Sequence, residues 1–343
     1  MTEKNIKPIL GITMGDAAGI GPEIIDKTLA KKEYYEIARP IVIGDASVIE
    51  DAFKVAKVKL NINSVEDISE AKYEHGTIDI IDLKNIRLSE LKMGKVQAMA
   101  GEASVKYVEK AVDMALKNKI DAIVTAPLNK EAMNLAGYDY AGHTEILAHL
   151  TKTKDYAMML VAGKLRVVHV TTHVSMRHAC DLIKKDRVLT TIKLTFDATR
   201  KMGVESPKIA VSGFNPHAGE SGLFGNEEIE EIIPAIESAK QSGMNVIGPM
   251  PPDTVFLRAS KGEYDSVVAM YHDQGHIPVK MLGFESGINV TIGLPIIRTS
   301  VDHGTAYRRA GLRLGTGDPT SLEGAMKLAV QMAKFDIEVS QTK

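Results

Sequence analysis

Cysteine is all but absent from the chain: Cys180 is the single one, so no internal disulfide can hold the fold. Long apolar runs are missing too, and none approaches the roughly 18 residues that a membrane-spanning helix needs. The beginning "MTEKNIKPILGI" lacks the basic region, apolar stretch and small-residue cleavage site of a secretory signal, and a cytoplasmic location is expected. Excess charge of one sign is also lacking. The net charge of −2 leaves no global basic surface of the kind nucleic acid requires, which directs attention to small-molecule partners. No GxxxxGK phosphate loop occurs, and "GDAAGIGPEI" (15–24) lacks the third glycine of a dinucleotide fingerprint. That stretch reads as a tight turn with Pro22 near a helix start. No repeat, low-complexity tract or linker marks a domain boundary.

What is present is alternation. Short apolar, β-branched runs predict strands at 7–16, 39–46, 77–83, 121–127, 165–173, 208–217, 244–252, 264–272 and 288–295. Helical spacing of apolar residues predicts helices at 101–118, 145–150, 179–202, 227–242 and 321–334. Strand followed by helix, repeated over 343 residues, predicts an α/β fold with a mostly parallel sheet, divided into two lobes.

In such sheets ligands bind beyond the carboxyl ends of strands. Polar residues collect there: Asp16, Asp45, Thr125, His173, Asn215, His217, Asp253, His272 and Asp273. Three are histidines that each follow a different apolar strand, in "VVHVTTH", "AVSGFNPH" and "VVAMYH". Three imidazoles brought to one sheet edge would suit a divalent transition metal; singly, each would serve as well as a hydrogen-bonded structural residue. The pairs His169/His173 and His272/His276 have the spacing of helical zinc motifs. His169 lies in a β-rich run among valines, predicting a core position, and Gly275 predicts a break in the other, so neither pair reads as a helical metal site. Lys280 and Arg298 sit in apolar runs where an unpaired cation would be costly, and an anionic ligand is their natural partner.

The motifs "ITMGDAAGIGPEI", "TAPLNKEA", "GHTEILA", "TTHVSMR", "FNPHAGE", "PPDTVF", "YHDQGHIPVK" and "LPIIRTSVDHGTA" run in order from about residue 10 to 306. Together they resemble the 4-hydroxythreonine-4-phosphate dehydrogenases. "YHDQGHIPVK", "YAMML" and "GPMPPDTVF" are more similar to the branch that oxidises D-threonate 4-phosphate and D-erythronate 4-phosphate than to the vitamin B6 enzymes. The resemblance implies a two-lobed α/β/α dehydrogenase akin to the isocitrate and isopropylmalate enzymes, with lobes at 1–130 plus 305–343 and at 131–304. It implies a homodimer that uses NAD, and a divalent cation (Zn, Mg, Co, Mn or Ni) on His173, His217 and His272. His143, Thr144, Lys280, Asn289 and Arg298 would contact the phosphorylated substrate. Asp253 and Asp273 would orient the histidines or relay protons, with helix capping as the plainer role, and Lys280 would join the catalytic set. Two departures stand out: Ala17 replaces a common proline, and Arg308 and Arg309 stand where the family places an acidic residue with apolar neighbours. A metal-dependent aldolase or lyase, which needs no nicotinamide, and a non-catalytic sugar-phosphate sensor are the rival readings.

Overall fold

The computed structural model describes residues 6–283 and 286–341. It divides into two compact units, Met1–Thr153 with Leu294–Lys343, and Lys154–Gly293. The sequence reading set the boundaries at 130/131 and 304/305, so residues 131–153 and 294–304 fall in the first unit instead of the second. His143, Thr144 and Arg298 move with them.

The described residues form twelve strands: β1 (Ile9–Thr13), β2 (Arg39–Gly44), β3 (Asn61–Val65), β4 (Thr77–Asp82), β5 (Ala122–Thr125), β6 (Ala157–Ala162), β7 (Leu165–His169), β8 (Ile209–Ser212), β9 (Val246–Met250), β10 (Ser266–Ala269), β11 (Ile288–Ile292) and β12 (Arg298–Val301). In the first unit the order is β3-β4-β2-β1-β5-β12, with every pairing parallel. Leu10 and Ile12 on one face of β1 and Thr13 on the other are fully buried, as are Ile41, Val42 and Ile43 of β2. A strand buried on both faces reads as a continuous apolar run, which is why these two were visible in the sequence.

In the second unit the order is β11-β6-β7-β10-β8-β9. β7, β10, β8 and β9 are parallel, whereas β6 runs antiparallel to β7 and to β11. The β6–β7 connection is a two-residue turn, Gly163–Lys164, in which Gly163 takes φ 56°. A positive φ there matches the twist of a tight hairpin and costs glycine little. Two apolar clusters fill this unit: one centred on Ile192, Val211, Ile236 and Val268, the other on Leu160, Val167, Phe256 and Val267.

The five predicted helices are present with adjusted ends. The 179–202 run is two helices, Met176–Leu182 and Lys185–Lys201, and the 227–242 run begins with a π-helical turn at Glu228–Ile232. Strands β3, β6 and β12 lie outside the predicted runs, and His272–Gly283, where a break is expected at Gly275, forms a helix through Gly275 and Pro278. A Cβ at Gly275 would lie 2.4 Å from His169 Nε2 and 2.6 Å from Val167 Cγ1. Glycine is required there because the helix is pressed onto β7, and packing outweighs the roughly 1 kcal/mol of lost helix propensity. No helix among the described residues is long and apolar enough to cross a membrane.

Candidate active site and metal-binding residues

β7, β10 and β8 are adjacent parallel strands, and each is followed by one of the three singled-out histidines. His173 lies four residues past β7, His272 three past β10 and His217 five past β8. Parallel pairing sends all three chain exits the same way, so topology alone explains why the imidazoles collect at one edge of this unit.

The rings of His173 and His272 have centroids 5.5 Å apart. His272 Nδ1 lies 2.7 Å from Asp273 Oδ1, and His217 Nδ1 lies 3.7 Å from Asp253 Oδ2. A carboxylate only accepts, so a hydrogen on Nδ1 of His272 is favoured and its Nε2 carries the lone pair; a metal-ligating imidazole is oriented by the same kind of partner. The donor set therefore fits a divalent cation. Among the described residues, no three His, Cys, Asp or Glu side chains stand close enough together to hold one.

Two side chains that the sequence reading did not single out hold the loops in place. Glu228 is 2% exposed and accepts the backbone N–H groups of Phe214 and Asn215, each at 2.7 Å, and the Asn215 amide at 2.9 Å. It anchors the base of the loop whose residues 217–221 all have positive φ. Four of those five are not glycine, an unfavourable run that persists only because its surroundings over-determine it. Gln274 accepts the Met270 N–H at 2.7 Å and donates to the Gly213 carbonyl at 2.8 Å, tying the start of the His272 helix to the end of β8.

The same helix places His272, His276 and Lys280 at i, i+4 and i+8, one stripe of one helix. Asn289 is on β11, opposite Leu160, and its Oδ1 is sealed from solvent with no hydrogen-bond partner among the described residues. His169 is fully buried, as expected from its valine neighbours, and burial holds its pKa down to about 3.

In the first unit, Arg298 opens β12 and is 2% exposed. Its Nε and Nη2 donate to Thr125 Oγ1 at 3.2 and 2.7 Å. Burial draws its pKa down to about 9, with the Glu145 carboxylate opposing the shift, so it stays cationic at neutral pH. His143 and Thr144 begin the helix His143–Leu150. His143 Nε2 is sealed with no hydrogen-bond partner among the described residues. Burial, then the Arg298 charge, holds this imidazole well below the usual histidine value and therefore neutral. A buried cation beside an unsatisfied imidazole nitrogen is an arrangement that an oxyanion completes.

Asp16 is another perturbed group of this unit. It is fully buried and accepts from the Tyr307 hydroxyl at 2.7 Å and from the Ala18 N–H at 2.8 Å, yet burial raises its pKa to about 6. The folded state thus holds this proton more tightly than the unfolded chain does. The associated stability is full below the ordinary aspartate value of 3.8 and is lost as pH rises through about 6, a change of up to about 3 kcal/mol. Asp16→Asn should remove that slope when urea unfolding is followed against pH; identical slopes in the two proteins would show that Asp16 does not carry it. The glycines around Asp16 serve close packing: a Cβ would meet Pro127 O at 2.4 Å from Gly15 and Met14 O at 2.4 Å from Gly21. Residues 17–20 form the turn that leads into the helix beginning at Gly21.

The chain as a whole is similar to known proteins. The family described as pyridoxal phosphate biosynthetic protein PdxA matches residues 36–329. The D-threonate 4-phosphate dehydrogenase of Cupriavidus necator is 50% identical over 327 residues, covering 95% of this chain and 97% of that protein. The solved structure of a 4-hydroxythreonine-4-phosphate dehydrogenase from Burkholderia phymatum shares 51% identity with a TM-score of 0.84, covering 95% of this chain and 98% of that one. Its Klebsiella pneumoniae counterpart shares 44% with a TM-score of 0.87, covering 96% and 99%.

Proposed function

Because the chain belongs to the family of the pyridoxal phosphate biosynthetic protein PdxA, we propose that it oxidises a phosphorylated four-carbon 3-hydroxy acid, D-threonate 4-phosphate or D-erythronate 4-phosphate, with NAD. Hydride leaves carbon 3 for the nicotinamide, the hydroxyl proton goes to solvent, and the resulting 3-keto acid loses carbon dioxide to give dihydroxyacetone phosphate. The reaction is of the isocitrate and isopropylmalate dehydrogenase type. The observation that carries the proposal is the set of three histidines beyond β7, β10 and β8, two of them beside a carboxylate.

His173, His217 and His272 would hold the divalent cation, which when bound would acidify the substrate hydroxyl and stabilise the enolate as a Lewis acid. The chain's own groups do the rest. Asp273 keeps a hydrogen on His272 Nδ1 and so directs Nε2 as the donor atom, and Asp253 sits beside His217 in the same sense. Lys280 lies on the His272 stripe, where an ammonium can hold an anionic substrate group or return a proton to the enolate carbon. Arg298, neutral His143 and Thr144 supply donors to the phosphate, and the unsatisfied Asn289 Oδ1 accepts from a substrate hydroxyl. A homodimer in the cytoplasm is part of this reading, and the mass in solution checks its first half.

The names of the two solved relatives favour a second reading, oxidation of 4-hydroxythreonine 4-phosphate. Purified protein should be supplied with a divalent metal, with or without NAD, and each of the three phosphorylated acids, while NADH, carbon dioxide and dihydroxyacetone phosphate are measured. We expect the two sugar acids to give the higher kcat/KM. A higher value for 4-hydroxythreonine 4-phosphate would replace the first reading by the second, and turnover without NAD would replace both by a lyase.

A further inference from the structure

Hydrogen-bond directions around β7 and its neighbouring helix can be followed from one fixed acceptor. His169 Nδ1 lies 3.4 Å from the Met158 carbonyl oxygen, which can only accept, so Nδ1 carries the hydrogen. The fully buried His169 ring is neutral, which leaves its Nε2 as a lone pair. That lone pair is 3.2 Å from His276 Nδ1, and the His272 carbonyl oxygen is 3.0 Å from the same atom. Two acceptors converge on His276 Nδ1, so it is the protonated nitrogen and donates a shared hydrogen to both. The plane and the tautomer of His276 are thereby set by a chain that begins at β6.

The fixed ring is stacked on His272: centroids are 3.6 Å apart and the planes 12° from parallel. His173 approaches His272 at 5.5 Å and 48°. Gly275 permits the arrangement, because any side chain there would strike His169 and lift the helix away from β7.

We propose that His276, locked by His169, is a positioning residue for His272: its face fixes the plane in which the His272 ring meets Asp273 and presents Nε2. The proposal rests on the assignment of His272 as a metal ligand, and its test separates the two ideas. In metal-free protein labelled with 15N at histidine, long-range proton–nitrogen correlation reads each ring's tautomer. His276 and His272 should both appear as Nδ1–H forms. His276→Leu, which removes donor and stacking face, should return His272 to averaged tautomer signals and weaken Zn2+ binding by calorimetry on the order of 10-fold or more. His276→Phe keeps a flat face and should recover most of that affinity. If the leucine variant loses its fold, the phenylalanine variant and the wild-type tautomers still decide the matter. An Nε2–H form of His276 in the wild type would overturn the proposal, as would unchanged His272 signals and Zn2+ affinity in a folded His276→Leu protein. If His272→Ala binds Zn2+ as the wild type does, the metal assignment fails instead, while the tautomer measurements still report on the stack.

Discussion

Replacement of His272 by alanine is expected to reduce divalent-metal binding below detection and to lower turnover of the phosphorylated acid on the order of 1,000-fold or more, since Lewis-acid stabilisation supplies several kcal/mol. His173→Ala and His217→Ala should behave alike, because a three-ligand set that loses one imidazole has too few donors to exclude water and hold a cation. All three should keep the wild-type thermal midpoint within a few degrees. The side chains of His217 and His272 are 61% and 35% exposed, and neither is among the residues that fill the apolar clusters. Chelation of the wild-type protein should stop NADH formation together with carbon dioxide release. Metal content by atomic absorption in the three variants, set beside their rates, decides the matter. Full occupancy in all three would remove these histidines from the metal, and undiminished NADH formation by the chelated enzyme would remove the metal from the hydride step.

These histidines were legible in the sequence because each follows an apolar run, and an apolar run that ends abruptly in polar residues marks the carboxyl end of a buried strand. Arg298 was legible only as a costly cation. The strand it opens, β12, has four residues and begins with a charge, too short to show a period. β3 was missed for a related reason: Asn61, Asn63 and Ser64 make it a polar edge strand. β6, "AMMLVA", was missed as well: it has little β-branching, and the Gly163–Lys164 turn that follows it is the signal that could have found it. The helix from His272 was hidden by Gly275 and Pro278, whose cost to a helix in isolation is offset here by contact with β7. Propensity describes a segment alone, and the packing that overrides it is a property of the fold. Glu228 lies beyond such reading altogether: in "NEEIEE" nothing distinguishes the buried anchor from its solvated neighbours until the 214–215 backbone is seen to converge on it.

Arg298→Met should separate binding from stability. Burial draws the guanidinium pKa down to about 9, so the cation is disfavoured in place. A fold that carries such a charge gains little from it. Exchange for a methionine of similar length should therefore leave the thermal midpoint unchanged or raise it. Binding should respond in the opposite direction. The phosphate would lose a planar donor already oriented by Thr125, next to a His143 that stays neutral and cannot replace the charge. Loss of a buried charge-assisted contact amounts to about 2–5 kcal/mol, so KM for D-threonate 4-phosphate should rise on the order of 100-fold. With unphosphorylated D-threonate the wild type and the variant should differ little, because the interaction removed is one that only the phosphate makes. Arg298→Lys is the sharper control: it keeps the charge and loses the fork, and should recover only part of the affinity. A collapsed midpoint in the methionine variant would make Arg298 a structural residue, and equal losses on both substrates would show that it does not read the phosphate.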